Sequence, residues 1–204
     1  MIVVTDFAQG SPEWFAARAG VLSASVLDQV VTSTGEPSKQ ARKLALTLAG
    51  ERVIGAKPDT YQSPAMARGM EMEAEAREFY SLITDHDVAE VGLVYQDDTR
   101  RVCCSPDGLV GEGGLEIKCP ALHTAVDYLL RGQLPAEYVQ QVQGSMWITE
   151  APWWDFLSYF PGLPPLLLRV ERDEQFIAKL AEQVERFLAD LDAITTRITE
   201  RIAA

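Results

Sequence analysis

The sequence predicts an α/β fold in which a small sheet is layered between helices. Two patterns carry that reading. Apolar residues recur at three- and four-residue spacing in the first 83 residues and again from Asp173 onward, as helices require. Between them lie short runs rich in valine, isoleucine and aromatic residues, punctuated by glycine, proline and aspartate, as short strands require. A length of 204 residues suits one domain, 1–204, with 173–204 forming a helix on the core or at a subunit interface.

In chain order, residues 12–17 form a short helix, and Ser23-Ala-Ser25 caps a second that runs to about Val31. Residues 32–37 are a turn-rich loop. A helix over 39–55 stops at Gly55 and Pro58, and the next starts at Ser63-Pro64, with proline in its first turn, and reaches Ile83. Strands follow over 88–95, 101–104, 109–110 and 115–119. Pro135 opens a helix that reaches Trp147, and late strands occupy 156–160 and 166–170. The tail is one amphipathic helix, with Phe176, Leu180, Val184, Phe187, Leu191, Ile194, Ile198 and Ile202 on its apolar side. Covering the core or joining subunits suits that face better than binding a membrane.

Composition narrows the chemistry. No run of 18 apolar residues occurs and no basic, apolar leader opens the chain, so the expectation is a cytoplasmic protein without a membrane role. Cys103, Cys104 and Cys119 have neither disulfide-framework nor zinc-ligand spacing and read as small thiols in a reducing compartment. Two histidines, His86 and His123, leave little material for a histidine-rich metal site or a Ser-His-Asp triad. The net charge of −12 counts against nucleic acid, unless positive charge is confined to the surface that encloses it.

The chemistry concentrates in Gly114-Leu-Glu-Ile-Lys-Cys-Pro120. Alternation along a strand turns Leu115, Ile117 and Cys119 to the core and places Glu116 and Lys118 together on the other face. Ser105-Pro-Asp107 precedes it, and the glycine-rich link Gly111-Glu-Gly-Gly114 implies a hairpin that folds Asp107 back beside the pair, to within a residue or two. Two carboxylates that meet call for a cation between them, and hard oxygen ligands favour Mg²⁺ or Mn²⁺. A lysine beside such an ion can orient or activate a water and stabilise charge on a phosphate. An ordinary surface hairpin with a solvated ion pair has the same spacing.

Glu73 lies inside the apolar arc formed by Met66, Gly69, Met72, Ala76, Phe79, Tyr80 and Ile83, whereas Glu71, Glu75 and Glu78 face the opposite way. A carboxylate there needs an arginine partner or a place among the metal ligands. On the helix after Pro135, Gln143 sits among Tyr138, Val139, Val142, Met146 and Trp147, either lining the same site or making a structural hydrogen bond.

These residues resemble the exonucleases of the bacteriophage lambda type, the YqaJ-like viral recombinase branch of the PD-(D/E)xK nucleases. The resemblance rests on six ordered blocks: Gln9-Gly-Ser-Pro-Glu-Trp14, Arg18-Ala-Gly-Val-Leu-Ser-Ala-Ser25, Gly69-Met-Glu-Met-Glu73, Cys104-Ser-Pro-Asp-Gly108, Gly114-Leu-Glu-Ile-Lys-Cys-Pro120 and Gln141-Val-Gln-Gly-Ser-Met-Trp147. It implies a central mixed β-sheet flanked by helices, the restriction-endonuclease-like core. It further implies a magnesium-dependent 5′-to-3′ exonuclease that degrades one strand of linear double-stranded DNA to mononucleotides and leaves a 3′ single-stranded tail. By motif position Asp107, Glu116 and the backbone carbonyl of Ile117 hold the metal, two Mg²⁺ per site with Mn²⁺ able to substitute. Lys118 positions or activates the water, Glu73 supports the second ion, Gln143 lines the site, and Arg18, Ser25 and Ser105 take the DNA 5′-phosphate. A ring-shaped homotrimer, a single-strand annealing protein as partner, and the bacterial host cytoplasm are implied in the same way.

Two other readings compete. One is a non-catalytic DNA-binding module, against which the full set of Asp107, Glu116, Lys118 and Glu73 speaks. The other is an endonuclease or a Cas4/RecB-like nuclease, of which the Cas4 variant needs four cysteine ligands for its iron–sulfur cluster where this chain has three cysteines in all.

Overall fold

The computed structural model describes residues 1–58 and 64–203, with 64–70 described by backbone alone. The side chains of Met66 and Gly69, and the start of the helix at Ser63, therefore lie outside the described residues. The expected mixed sheet is present as two four-stranded halves. In the first, β1 (Ile2–Val4) pairs antiparallel with β3 (Leu93–Tyr95), which pairs antiparallel with β4 (Val102–Cys104), and β4 runs parallel to β2 (Leu22–Ser23). In the second, β5 (Gly108–Val110), β6 (Gly113–Lys118), β7 (Trp153–Ser158) and β8 (Leu166–Glu171) follow in order, antiparallel except for the parallel β6–β7 pair. An isolated bridge between Ala89 and Leu109 joins the halves.

Among the described residues six α-helices flank these sheets: α1 (Pro12–Arg18), α2 (Ala41–Ile54), α3 (Pro64–Thr84), α4 (Leu122–Arg131), α5 (Val139–Thr149) and α6 (Glu174–Ala203). Ser11 caps α1 by accepting from the Trp14 amide at 3.2 Å, with Pro12 at the first helical position, and Gly55 closes α2 in the left-handed conformation at φ 67°. The tail helix buries Phe176, Leu180, Val184, Phe187, Leu191 and Ile194 against Leu44, Leu48 and Ala49 of α2, as its spacing predicts.

Several elements depart from the sequence reading. The strand expected over 88–95 is confined to Leu93–Tyr95; ahead of it Ala89 forms only an isolated bridge with Leu109, and at Gly92 the backbone passes so close to Phe7 that a side chain would stand 2.3 Å from its carbonyl oxygen. The helix expected after Ser23 is a 3-10 helix over Ala24–Gln29, and Ser23 does not cap it: its hydroxyl accepts from Arg18. The strands β1 and β2 and the helix α4 were not read from the sequence.

The second sheet is covered on both faces. Ala76 and Tyr80 of α3 pack on Leu115, Ile117 and Leu157, while Val142 and Met146 of α5 pack on Trp154 and Phe156. Glu116 lies opposite Phe156 in the register and so faces α5. That cover buries Glu116 to 2% exposure.

Candidate active site

The site forms where one strand of a hairpin outlasts the other. Gly111 takes φ 54° in the two-residue turn, and β5 pairs Gly108 with Leu115, so Glu116, Ile117 and Lys118 run on past the start of β5. Asp107, the residue just before β5, fills the gap. Its amide donates to the Leu115 carbonyl at 3.1 Å, and its Oδ2 accepts from the Ile117 amide at 2.5 Å. Amide and carbonyl of one strand residue point to the same side, so the Ile117 carbonyl emerges beside the Asp107 carboxylate. The expected hairpin thus brings Asp107 onto the Glu116–Ile117 peptide.

Glu116 and Lys118 share the face turned to α5. Glu116 Oε1 stands 2.5 Å from Lys118 Nζ and accepts from Gln141 Nε2 at 2.7 Å; Lys118 Nζ also donates to Gln141 Oε1 at 3.4 Å and lies 4.9 Å from the centre of the Tyr138 ring. Burial raises Asp107 well above the usual carboxylate range, and repulsion from Glu116 and then Glu73 adds to it. Burial works against the Lys118 ammonium, but attraction from Glu116 and Asp107 outweighs it and holds the group charged, above the ordinary lysine value. The pocket is therefore short of positive charge, and its lysine acts as a donor.

The expectation of three converging carboxylates is corrected. Among the described residues no group of three acidic, histidine or cysteine side chains is placed to hold an ion. Glu73 is close enough for burial, then repulsion from Glu116, to raise its own pKa against the pull of Arg77. Its Oε1, however, is taken by Arg77 Nη2 at 2.6 Å. Of the two sequence alternatives the structure shows the arginine pair, with Glu73 near enough to Glu116 to feel its charge. The remaining donors, two carboxylates and the Ile117 carbonyl, fit Mg²⁺ or Mn²⁺, which use one or two carboxylates and keep several waters.

Gln143 is the second correction. Its Nε2 donates to the Glu171 carbonyl at 2.9 Å and its Oε1 accepts from the Asp173 amide at 2.9 Å, so it fastens the junction of β8 and α6 and does not face Glu116. Gln141 takes the place expected of it. Helical phase could not distinguish them, because α5 is buried almost all round: Val142 and Met146 face the second sheet while Val139 and Trp147 pack with the tail-helix cluster. Two residues on a helix point about 200° apart, which is the whole difference.

Arg18, Ser25 and Ser105 do converge. Arg18 Nη1 donates to Ser105 Oγ at 3.1 Å, and Nη2 donates to Ser23 Oγ at 2.8 Å and Ser25 Oγ at 3.3 Å. The guanidinium lies 4.2 Å over the Trp14 ring, whose Nε1 also donates to Ser105. Sequence reasoning missed Ser23, having assigned it to a cap. The adjoining cavity, about 220 Å³, is lined by Arg18, Ser23, Lys43 and Lys57. Ser105, which accepts from Arg18, stands two residues before Asp107, so the arginine–serine cluster and the carboxylate pair lie close along the chain.

The architecture is the mixed α/β fold of the PD-(D/E)xK type. The chain belongs to the family of the YqaJ-like viral recombinase domain, whose profile matches residues 13–152. It is similar to the crystal structure of an alkaline exonuclease from Laribacter hongkongensis, with 35% identity, a TM-score of 0.86, and 95% of this chain and 98% of that chain covered. The same enzyme in complex with dAMP matches with a TM-score of 0.85 at 35% identity, over 95% of this chain and 98% of that one. A phage-related exonuclease from Haemophilus somnus 129PT shares the fold at 15% identity, with a TM-score of 0.67 over 89% of this chain and 96% of that one. The protein ExoD of Escherichia coli (strain K12) is 32% identical over 68 residues, 32% of this chain and 78% of that protein. No helix among the described residues is long and apolar enough to cross a membrane.

Proposed function

We propose that this protein is a magnesium-dependent 5′-to-3′ exonuclease acting on ends of double-stranded DNA. The observation that carries the reading is the Asp107 carboxylate seated on the Glu116–Ile117 peptide, beside a half-buried, charged Lys118 that pairs with Glu116. Membership of a viral recombinase family and 35% identity to a protein named an alkaline exonuclease support it. So does the dAMP bound to that relative, since a mononucleotide is what such an enzyme releases.

In this reading Asp107, Glu116 and the Ile117 carbonyl hold Mg²⁺, or Mn²⁺ in its place, and Glu73 supports a second ion through its waters. Such ions lower the pKa of bound water and neutralise charge on the phosphoryl oxygens. Lys118 donates a hydrogen bond that aims the attacking water and stabilises the phosphorane-like charge. Gln141 keeps Glu116 and Lys118 at their separation. Arg18, with Ser23, Ser25 and Ser105, grips the terminal 5′-phosphate, a role suited to a planar guanidinium. The enzyme would work as a ring-shaped homotrimer in a bacterial cytoplasm, handing its 3′ tail to a single-strand annealing protein.

Linear duplex bearing a 5′-phosphate, linear duplex bearing a 5′-hydroxyl, and closed circular DNA, each with and without Mg²⁺, test this together. The expected result is mononucleotides from the phosphorylated linear duplex in Mg²⁺ alone, intact circles, and loss of activity by roughly three orders of magnitude or more in Lys118→Ala. Cut circles would point to an endonuclease. DNA bound but left whole under every condition would point to a binding module.

A further inference from the structure

Arg77 is the structural centre of the cavity on the far side of Asp107. Its fork serves three partners at once: Nε donates to the Asp107 carbonyl at 2.8 Å, Nη2 to Glu73 at 2.6 Å, and Nη1 lies 2.9 Å from Glu90 Oε2. From the facing wall Gln9 Nε2 donates to the Pro106 carbonyl at 2.7 Å and the Val91 carbonyl at 3.0 Å. The backbone that aims the Asp107 carboxylate is thus held at two successive carbonyls. The same cavity, about 400 Å³, is lined by Glu73, Arg77, Glu90 and Asp107.

Arg77 occupies the place that a cation would take between Glu73 and the Asp107 turn. Its side chain is 16% exposed, so its charge is poorly screened, while its third partner, Glu90, is 71% exposed and reaches it from the surface. A guanidinium shared between two carboxylates holds each less firmly than it would hold one. The geometry points to Arg77 as a positioning residue that reserves Glu73 until divalent ions compete for it, with Glu90 setting how firmly Glu73 is held. This rests on the metal-dependent reading above. It adds that ion affinity is tuned from the surface by a residue that touches no ion.

The test is a double-mutant cycle read by calorimetric titration of Mn²⁺ into the DNA-free protein, with melting temperatures recorded for each variant. Glu90→Gln leaves Arg77, among the described residues, with Glu73 as its one carboxylate partner. It should therefore weaken Mn²⁺ binding about three- to tenfold in the otherwise unaltered protein. In a Glu73→Gln background the same substitution should have no effect on Mn²⁺ binding, since the group being reserved is gone. Equal losses in both backgrounds would reveal a plain field effect, and no loss in either would break the link; each overturns this inference while leaving the nuclease reading intact. Failure of the unaltered protein to bind Mn²⁺ would remove both. A drop in melting temperature without a change in the isotherm would show Glu90 to be a structural partner only, and would overturn the inference as well.

Discussion

Gln141 and Gln143 show how much a single side chain's direction decides. Gln141 spans the Glu116–Lys118 pair, accepting from one and donating to the other through the two ends of one amide. Gln143 spends both ends of its amide on backbone at the start of the tail helix. Truncation should therefore separate them. Gln141→Ala frees Lys118 and Glu116 to shift and should lower turnover about 10- to 100-fold, as loss of a partner that orients ion ligands does elsewhere, with little change in stability. Gln143→Ala removes two part-buried hydrogen bonds to backbone and should lower unfolding free energy by about 1–3 kcal/mol while the folded fraction keeps its turnover. Urea unfolding and single-turnover cleavage of the two variants decide the matter; a reversal of the two outcomes would return Gln143 to the site.

The helix that presents Glu73 is pinned by a second ionic cluster on the opposite side of β7. Asp155 is 3% exposed, accepts from Tyr80 at 2.7 Å, and receives both arms of Arg169 at 2.9 Å, while Arg169 lies 3.7 Å over the Trp153 ring. Hydrogen bonding to Asp155, after burial, raises Tyr80 beyond the usual phenol range, so the hydroxyl stays a donor. Asp155→Ala strands the Tyr80 hydroxyl and should cost about 1–3 kcal/mol, with Arg169 partly compensated by water because its side chain is 44% exposed. The urea midpoint should fall with its slope unchanged, and an unchanged midpoint would show that α3 is held by its apolar contacts alone. Elements like these differ in how well the sequence announces them. Strand β6 was legible because alternation separates Leu115 and Ile117 from Glu116 and Lys118, and α6 because one apolar stripe repeats over thirty residues. Helix α4 was not, since its stripe of Leu122, Val126 and Leu130 faces outward while Ala125 and Tyr128 are buried. The strands β1 and β2 are three and two residues long and gain their identity only from distant partners, which no local pattern encodes. The burial of Glu116 was hidden for the same reason: it depends on α5 covering β7, a parallel neighbour far along the chain.

At the scale of the whole molecule the question is how a chain of net charge −12 approaches a polyanion. Uniformly spread, 30 acidic and 18 basic residues would repel DNA at every approach, so binding requires that cations be gathered where DNA enters. The cavity lined by Arg18 and Ser23 offers such a place: Arg18 is buried, and Lys43 and Lys57, which also line it, are exposed. Glu51, which also lines it, has one carboxylate oxygen engaged by the Gly20 amide at 2.9 Å. A lysine that meets a phosphate releases a counterion, and each such contact contributes about −0.9 to the slope of log affinity against log salt. Fluorescence anisotropy of a 5′-phosphorylated duplex in chelator, which prevents cleavage, measures that slope directly. Lys43→Gln and Lys57→Gln should each make it shallower by about one, and the double variant by about two, because the contacts are separate. Arg18→Gln should act differently, abolishing the preference for 5′-phosphate over 5′-hydroxyl, since its fork would recognise the terminal group and the lysines only its charge. Slopes that do not move in either lysine variant would mean that DNA enters across another face, and would leave the acidity of the chain without its explanation.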